Sequence, residues 1–151
     1  MFRLNRLTDY AVVLLTQMAA RPTELRSAQL IAEQGSLPLP TVAKLLNALA
    51  REGIVASHRG AAGGYTLGRP AASISVADIV QALEGPIALT ACVESSTEPC
   101  QVEALCPMAG NWNRVNQAIR EALASVTLAE MASSPAVPRH GLNETIRQVA
   151  G

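Results

Sequence analysis

The 151-residue sequence predicts a mainly α-helical chain with one small β-hairpin. Three observations carry that expectation. Hydrophobic residues make up 49% of the chain and charged residues 16%, which excludes an intrinsically disordered chain, poor in apolar residues and rich in charge. The apolar set is mostly Ala, Leu and Val with 3% aromatic residues, which suits close-packed helices better than a β-sandwich. Apolar residues also recur at helical spacing on both sides of a single Gly-rich passage flanked by strand-like runs. No run approaches the ~18 consecutive apolar residues of a membrane span. The start, Met1-Phe2-Arg3-Leu4-Asn5-Arg6, lacks the apolar core of a signal peptide, so a cytoplasmic protein is expected.

Thr8 can cap a first helix, with Asp9 in the first turn where a carboxylate favours the helix dipole. Apolar residues continue from Tyr10 to Met18 and Ala19, and Pro22 stops the run. Ser27 opens a second, short helix that Gly35 ends. Ser36-Leu37-Pro38-Leu39-Pro40 reads as a connector. A third helix spans about Pro40 to Arg51, with proline suited to its first turn. Its apolar stripe is Val42, Leu45, Leu46 and Leu49, at i, i+3, i+4 and i+7, and Gly53 is a natural stop. Ile54 to Arg59 reads as a strand, Gly60-Ala61-Ala62-Gly63-Gly64 as a turn and Tyr65-Thr66-Leu67 as a second strand. Helix, helix, turn, helix and hairpin is the order of a winged helix-turn-helix.

Ser75-Val76-Ala77-Asp78 has the form of a capping box, predicting a helix over 76–84 that ends at Gly85-Pro86. Residues 87–106 show little periodicity and contain all three cysteines. A longer helix begins near Met108. Trp112, Val115, Ile119, Ala122 and Val126 recur at spacings of 3, 4, 3 and 4, a heptad seam. Thr127 caps a last short turn with Leu128 and Met131. The remainder, with Pro135 and Pro138, reads as loosely ordered, with a short helix near 143–149. The expected division is a DNA-binding winged helix-turn-helix over 1–70, a helix and cysteine loop over 71–106, a dimerisation helix over 107–132 and a tail over 133–151.

The zero net charge conceals an asymmetry. Residues 1–70 carry eight Arg or Lys against four acids, a net +4, and residues 71–151 carry four against eight, a net −4. A basic half beside an acidic one points to a polyanion-binding module joined to a second element. In a helix-turn-helix the second helix of the motif enters the major groove with its N-terminal residues nearest the bases. Here those residues are Ser36, Pro38, Pro40, Thr41 and Lys44, with Asn47 a turn further on. Ser, Thr and the first backbone amides suit phosphate, and Lys44 suits phosphate or guanine. At the wing, Arg59 suits a narrow minor groove, and Gly60 and Gly63 permit a tight turn and close backbone approach. Double-stranded DNA is thus the expected partner. A heptad seam on a lone helix must be buried on something, and a two-fold homodimer matches palindromic DNA sites.

Cys92, Cys100 and Cys106 have the spacing C-x7-C-x5-C. An odd number in a reducing compartment argues against a disulfide framework. Thiolates select zinc, copper(I) or iron–sulfur clusters, and neither gap fits the paired ligands of zinc sites. Uneven spacing in a loop suits an iron–sulfur cluster, which three sulfurs leave one ligand short. Cluster-free sensing of oxidants, nitric oxide or metal through the same thiols is the alternative, and a winged module that binds protein rather than DNA is a third reading. His58 and His140 have no acid–base partner nearby in sequence. With no Ser-His-Asp, phosphate-loop or paired-carboxylate pattern, the chain is not expected to be an enzyme.

Residues 1–132 resemble the Rrf2 family of bacterial transcription regulators, which includes IscR-like, NsrR-like, RirA-like and SUF-system branches. The resemblance rests on Leu7-Thr8-Asp9-Tyr10-Ala11, on Ser36-Leu37-Pro38 and on Arg59-Gly60-Ala61-Ala62-Gly63-Gly64-Tyr65-Thr66-Leu67. It continues through Ile74-Ser75-Val76-Ala77-Asp78-Ile79 and Cys106-Pro107. The stretch Cys106-Pro107-Met108-Ala109-Gly110-Asn111-Trp112 is most similar to the SUF iron–sulfur assembly regulators. The resemblance implies a homodimeric repressor of iron–sulfur assembly genes that holds a cluster, of two or four irons, through Cys92, Cys100, Cys106 and a fourth, non-Cys ligand. IscR-like members place a His three residues after the last Cys, where this chain has Ala109. NsrR-like members use an Asp from the partner subunit at the position that Asp9 occupies, which makes Asp9 the candidate. The first gap, seven residues, is longer than the family's usual five.

Overall fold

The computed structural model describes residues 3–100, 106–108 and 110–133. The first helix, α1, spans Arg6–Ala19, and its cap is Asn5, whose side chain accepts from the Leu7 amide at 3.0 Å. Thr8, the expected cap, lies inside the first turn and is fully buried. Its hydroxyl instead donates to Glu84 Oε1 at 2.5 Å, and the same oxygen accepts from the Asn5 amide at 2.9 Å. A carboxylate from a distant helix thus supplies acceptors that the start of α1 needs. Ala11, Leu14, Leu15 and Met18 form the buried stripe of α1.

Helix α2, Ala28–Gly35, is capped by the Ser27 hydroxyl as expected. Gly35 is not its left-handed terminator, because that conformation falls on Ser36, with φ of 53°. Packing accounts for Gly35: a Cβ there would stand 2.8 Å from Leu14 Cδ2. Helix α3, Leu39–Arg51, starts one residue earlier than the sequence predicts, with Pro38 as N-cap, and buries Val42, Leu45, Leu46 and Leu49. Strands β1, Val55–His58, and β2, Gly64–Leu67, pair antiparallel, with Val55 opposite Leu67 and His58 opposite Gly64. Arg26 adds a bridge to the free side of β2, exchanging both backbone hydrogen bonds with Tyr65.

A 3-10 turn at Ala71–Ser73, which the sequence pattern does not announce, leads into helix α4, Val76–Glu84. The Ser75/Asp78 capping box is formed in both directions. Helix α5 spans Asn111–Ala124 and α6 spans Leu128–Ser133. The long helix is therefore shorter at both ends than the spacing predicts. Gly110 takes φ of 85° before it, and after it the chain is drawn back by two bonds, Val76 N to Val126 O at 2.9 Å and Leu128 N to Ile74 O at 2.7 Å. The expected seam is also divided. Ile119 packs inward, whereas Trp112, Val115, Ala122 and Val126 are exposed. The inward line of α5 is Asn116, Ile119 and Leu123.

The main core gathers α1, α2, α3, the hairpin, α4 and α6, with Leu14, Leu45, Leu46, Ile54, Ile79 and Leu128 among its members. A smaller core joins Ala77, Val80 and Ile87 to Ile119 and Leu123 and seats α5 on α4. The mainly α chain with a small β-hairpin, arranged as a winged helix-turn-helix with a further helix, stands as the sequence predicts. Among the described residues no helix is long and apolar enough to cross a membrane. The expected helix near 143–149 lies outside the described residues.

Candidate nucleic-acid interface and cysteine loop

The exposed side of α3 is built by exclusion. Val42, Leu45, Leu46 and Leu49 are committed to the core, while Pro40, Ala43, Lys44, Asn47, Ala50 and Arg51 line an open surface. Lys44, Asn47 and Arg51 stand at i, i+3 and i+7 on that side, all exposed. Arg51 is absent from the sequence-based set, although its spacing from Lys44 marks it. Ser36, Pro38 and Pro40 are exposed and Thr41 is half-buried. Pro38 and Pro40 carry no N–H, so of the free amides at the start of α3 only those of Leu39 and Thr41 remain as donors.

At the wing tip Arg59 and Gly60 are exposed. Gly60 has φ of 119°, and the Gly63 amide closes the turn onto its carbonyl at 2.9 Å. A Cβ at Gly63 would stand 2.4 Å from the His58 carbonyl oxygen, so the turn itself requires that glycine. His58 Nε2 lies 3.0 Å from Thr66 Oγ1 across the hairpin, a structural role. Not all of the positive charge of this half is available to a polyanion. Arg26 is buried against Glu24 at 2.8 Å, and Arg69 stands 3.6 Å from Asp78. The hydrogen bond from Arg26 holds the Glu24 carboxyl below its ordinary value, with the charges of Arg26 and Arg21 adding to the shift.

The cysteine loop is fastened to α5. Asn116 is buried, its side-chain amide donating to the Ile87 carbonyl at 2.9 Å and to Ser95 Oγ at 3.1 Å. Its oxygen accepts from the Leu89 amide at 3.0 Å. One turn earlier, Asn113 accepts from the Glu94 amide at 2.9 Å. Ile87 and Val93 are buried beneath this stretch. Cys92 lies within it, with Sγ 3.1 Å from Thr90 Oγ1. Sequence reasoning misses both asparagines. The signal is a polar residue at the inward position between Trp112 and Ile119.

Cys92, Cys100 and Cys106 are free thiols and half-buried. Their donor chemistry suits an iron–sulfur cluster, but their placement does not form its ligand set. Among the described residues, no group of three or more His, Cys, Asp or Glu side chains stands together as a metal site. Asp9 is exposed on the first turn of α1. A recess of about 320 Å³ under the loop is lined by Glu84, Thr90, Ser95, Ser96 and Glu98, among others, and by none of the cysteines.

The profile of the Rrf2 family, described as iron-dependent transcriptional regulators, matches residues 4–134. The HTH-type transcriptional regulator CymR of Bacillus subtilis is 34% identical over 128 residues, covering 82% of this chain and 85% of that protein. Its structure, described as that of the global cysteine regulator of B. subtilis, superposes with a TM-score of 0.70 at 29% identity, over 90% of this chain and all of that one. The oxidised form of Staphylococcus aureus CymR superposes at 0.65 with 28% identity, over 90% and 100% of the two chains. IscR of T. potens superposes at 0.62 with 30% identity, over 90% and 93%.

Proposed function

Since the chain belongs to the Rrf2 family and is a DNA-binding transcriptional regulator, we propose that it acts as a homodimeric repressor of iron–sulfur assembly genes, with the 87–106 segment as its sensing element. The domain division expected from the sequence is part of this reading. DNA is met by α3 and the turn before it through Ser36, Pro38, Pro40, Thr41 and Lys44, and by the wing through Arg59, Gly60 and Gly63. Asn47 and Arg51 extend the α3 surface toward the C-terminal end of that helix. The exposed apolar side chains Met108, Trp112, Val115, Val126 and Met131 supply the seam for a second copy.

The single observation that carries the sensing assignment is the grouping of all three thiols on one stretch whose first part is tied to the helix bearing that seam. Cys92, Cys100 and Cys106 are the cluster ligands in this reading, with Asp9 of the partner subunit as the fourth. The SUF-like stretch from Cys106 to Trp112 supports the choice of regulated genes. A bound cluster would supply a state that responds to iron and oxidants. The residues of this chain provide the donors, the clasp to α5 and the tie from Glu84 at the end of α4 to the start of α1. The regulatory response requires different affinity for the cluster in two arrangements of the dimer.

Two observations favour a second reading, direct thiol sensing. The thiols are not gathered as a metal site, and structural relatives include the global cysteine regulator and an oxidised form of its S. aureus counterpart. Anaerobic reconstitution with iron and sulfide, followed by absorbance and iron and sulfide assays, separates the two. The expected outcome is a coloured protein whose colour is lost in the Cys92→Ser, Cys100→Ser and Cys106→Ser variants. A protein that stays colourless assigns the sensing to the thiols alone.

A further inference from the structure

We propose that Asn116, assisted by Asn113, is the positioning residue of the sensing loop, and that it holds Cys92 pre-placed within the stretch it clasps. This inference rests on the reading of residues 87–106 as the sensing element. It concerns the protein chain alone and holds whether that element takes a cluster or reacts as thiols.

α5 turns one side toward α4, and apolar Ile119 and Leu123 occupy that side. The next inward position toward the N-terminus holds an amide that is 4% exposed. A buried amide in an apolar setting is costly unless it is paired. Asn116 meets that demand entirely from the loop, through the Ile87 carbonyl, the Leu89 amide and the Ser95 hydroxyl. Ser95 closes the ring by donating to the Ile87 carbonyl at 2.8 Å. Its three bonds therefore tie both ends of the 87–95 stretch to one helical position, and Asn113 adds a tie at Glu94.

Cys92 lies inside that ring, its sulfur against Thr90, also inside it. Cys100 and Cys106 lie beyond the last tie, and no hydrogen bond joins either side chain to α5 among the described residues. An amide is suited to such a clasp because it donates twice and accepts at the same point. A carboxylate there would face the Ile87 carbonyl without a donor, and Leu would leave the Leu89 amide without a partner and the Ile87 carbonyl and Ser95 hydroxyl with only each other.

The test is site-resolved alkylation of the reduced, metal-free full chain, with the rate at each cysteine read by mass spectrometry. In Asn116→Leu, Cys92 is expected to react faster by on the order of tenfold, because local opening is no longer opposed by the clasp. Cys100 and Cys106 are expected to stay within about twofold of the parent, since their surroundings lack the clasp. Asn113→Ala removes one tie and is expected to give a smaller rise confined to Cys92. It also decides the matter if Asn116→Leu does not fold. Unchanged Cys92 rates, or an equal rise at all three cysteines, would overturn the proposal. Failure of cluster reconstitution would leave it standing, which keeps it distinguishable from the reading on which it rests.

Discussion

Arg59 stands exposed at the wing tip and makes no ion pair among the described residues, so its charge is available to a phosphate or a minor groove. Arg59→Ala is expected to weaken DNA binding and to lower the slope of log affinity against log salt by about 1 in a salt-titrated shift assay. Unaltered affinity and slope would remove Arg59 from the interface. Gly35 is a packing residue: Gly35→Ala is expected to cost no more than about 1 kcal/mol in denaturant unfolding, because the new methyl must shift the outer end of Leu14 while the better helix propensity of alanine offsets part of that cost. The exposed placement of Lys44 and Arg59 is legible in the sequence, because both lie off the apolar positions of their elements. The role of Asn116 is not, because its partners Ile87, Leu89 and Ser95 are remote in sequence and only the fold brings them to it. Thr8 is misread for the same reason, its acceptor being Glu84.

Elements are legible where local bonds define them. The Ser75/Asp78 box and the Ser27 cap close within one turn, and both form where the sequence predicts. Helix α6 opens in the same way. Thr127 Oγ1 accepts from the Glu130 amide at 3.2 Å, and Glu130 accepts from the Thr127 amide at 2.7 Å. The Thr127 amide foremost, and then the Thr127 hydroxyl, which donates to Glu130 Oε2 at 2.8 Å, hold the Glu130 carboxyl below its ordinary value of 4.5. A carboxyl depressed in the folded state contributes stability above its unfolded value and loses it as the pH falls through the folded value. Glu130→Gln is therefore expected to lower the thermal midpoint at neutral pH, with the difference closing as the pH drops below 4.5. A constant difference across that range would contradict this assignment. Thr127→Ala is expected to cost about 1 kcal/mol at neutral pH in the same melts. The extent of α5 is not legible, because its end is set by the bonds of Val126 and Leu128 to Val76 and Ile74, on either side of the α4 cap.

For the whole molecule, the apolar spacing of the last long helix shows that it is amphipathic but not which positions face the chain's own core. Ile119 is turned to α4 while Trp112 and Val115 are left at 40% and 44% exposure. If that side pairs two copies, Trp112→Asp with Val115→Asp is expected to yield a monomer in sedimentation. DNA affinity is then expected to fall roughly a hundredfold or more as the two-site gain is lost. The direct test of the whole account is a DNA titration of one protein in two states. The duplex is one that the protein selects from a random pool, and the states are the anaerobically reconstituted and the metal-free dimer. Affinities that differ by about tenfold or more are expected, which corresponds to about 1.4 kcal/mol of coupling. The Cys92→Ser, Cys100→Ser, Cys106→Ser triple variant is expected to show no difference between the two treatments. Equal affinities for the two states of the parent protein would contradict the claim that its cysteines govern its grip on DNA through a cluster.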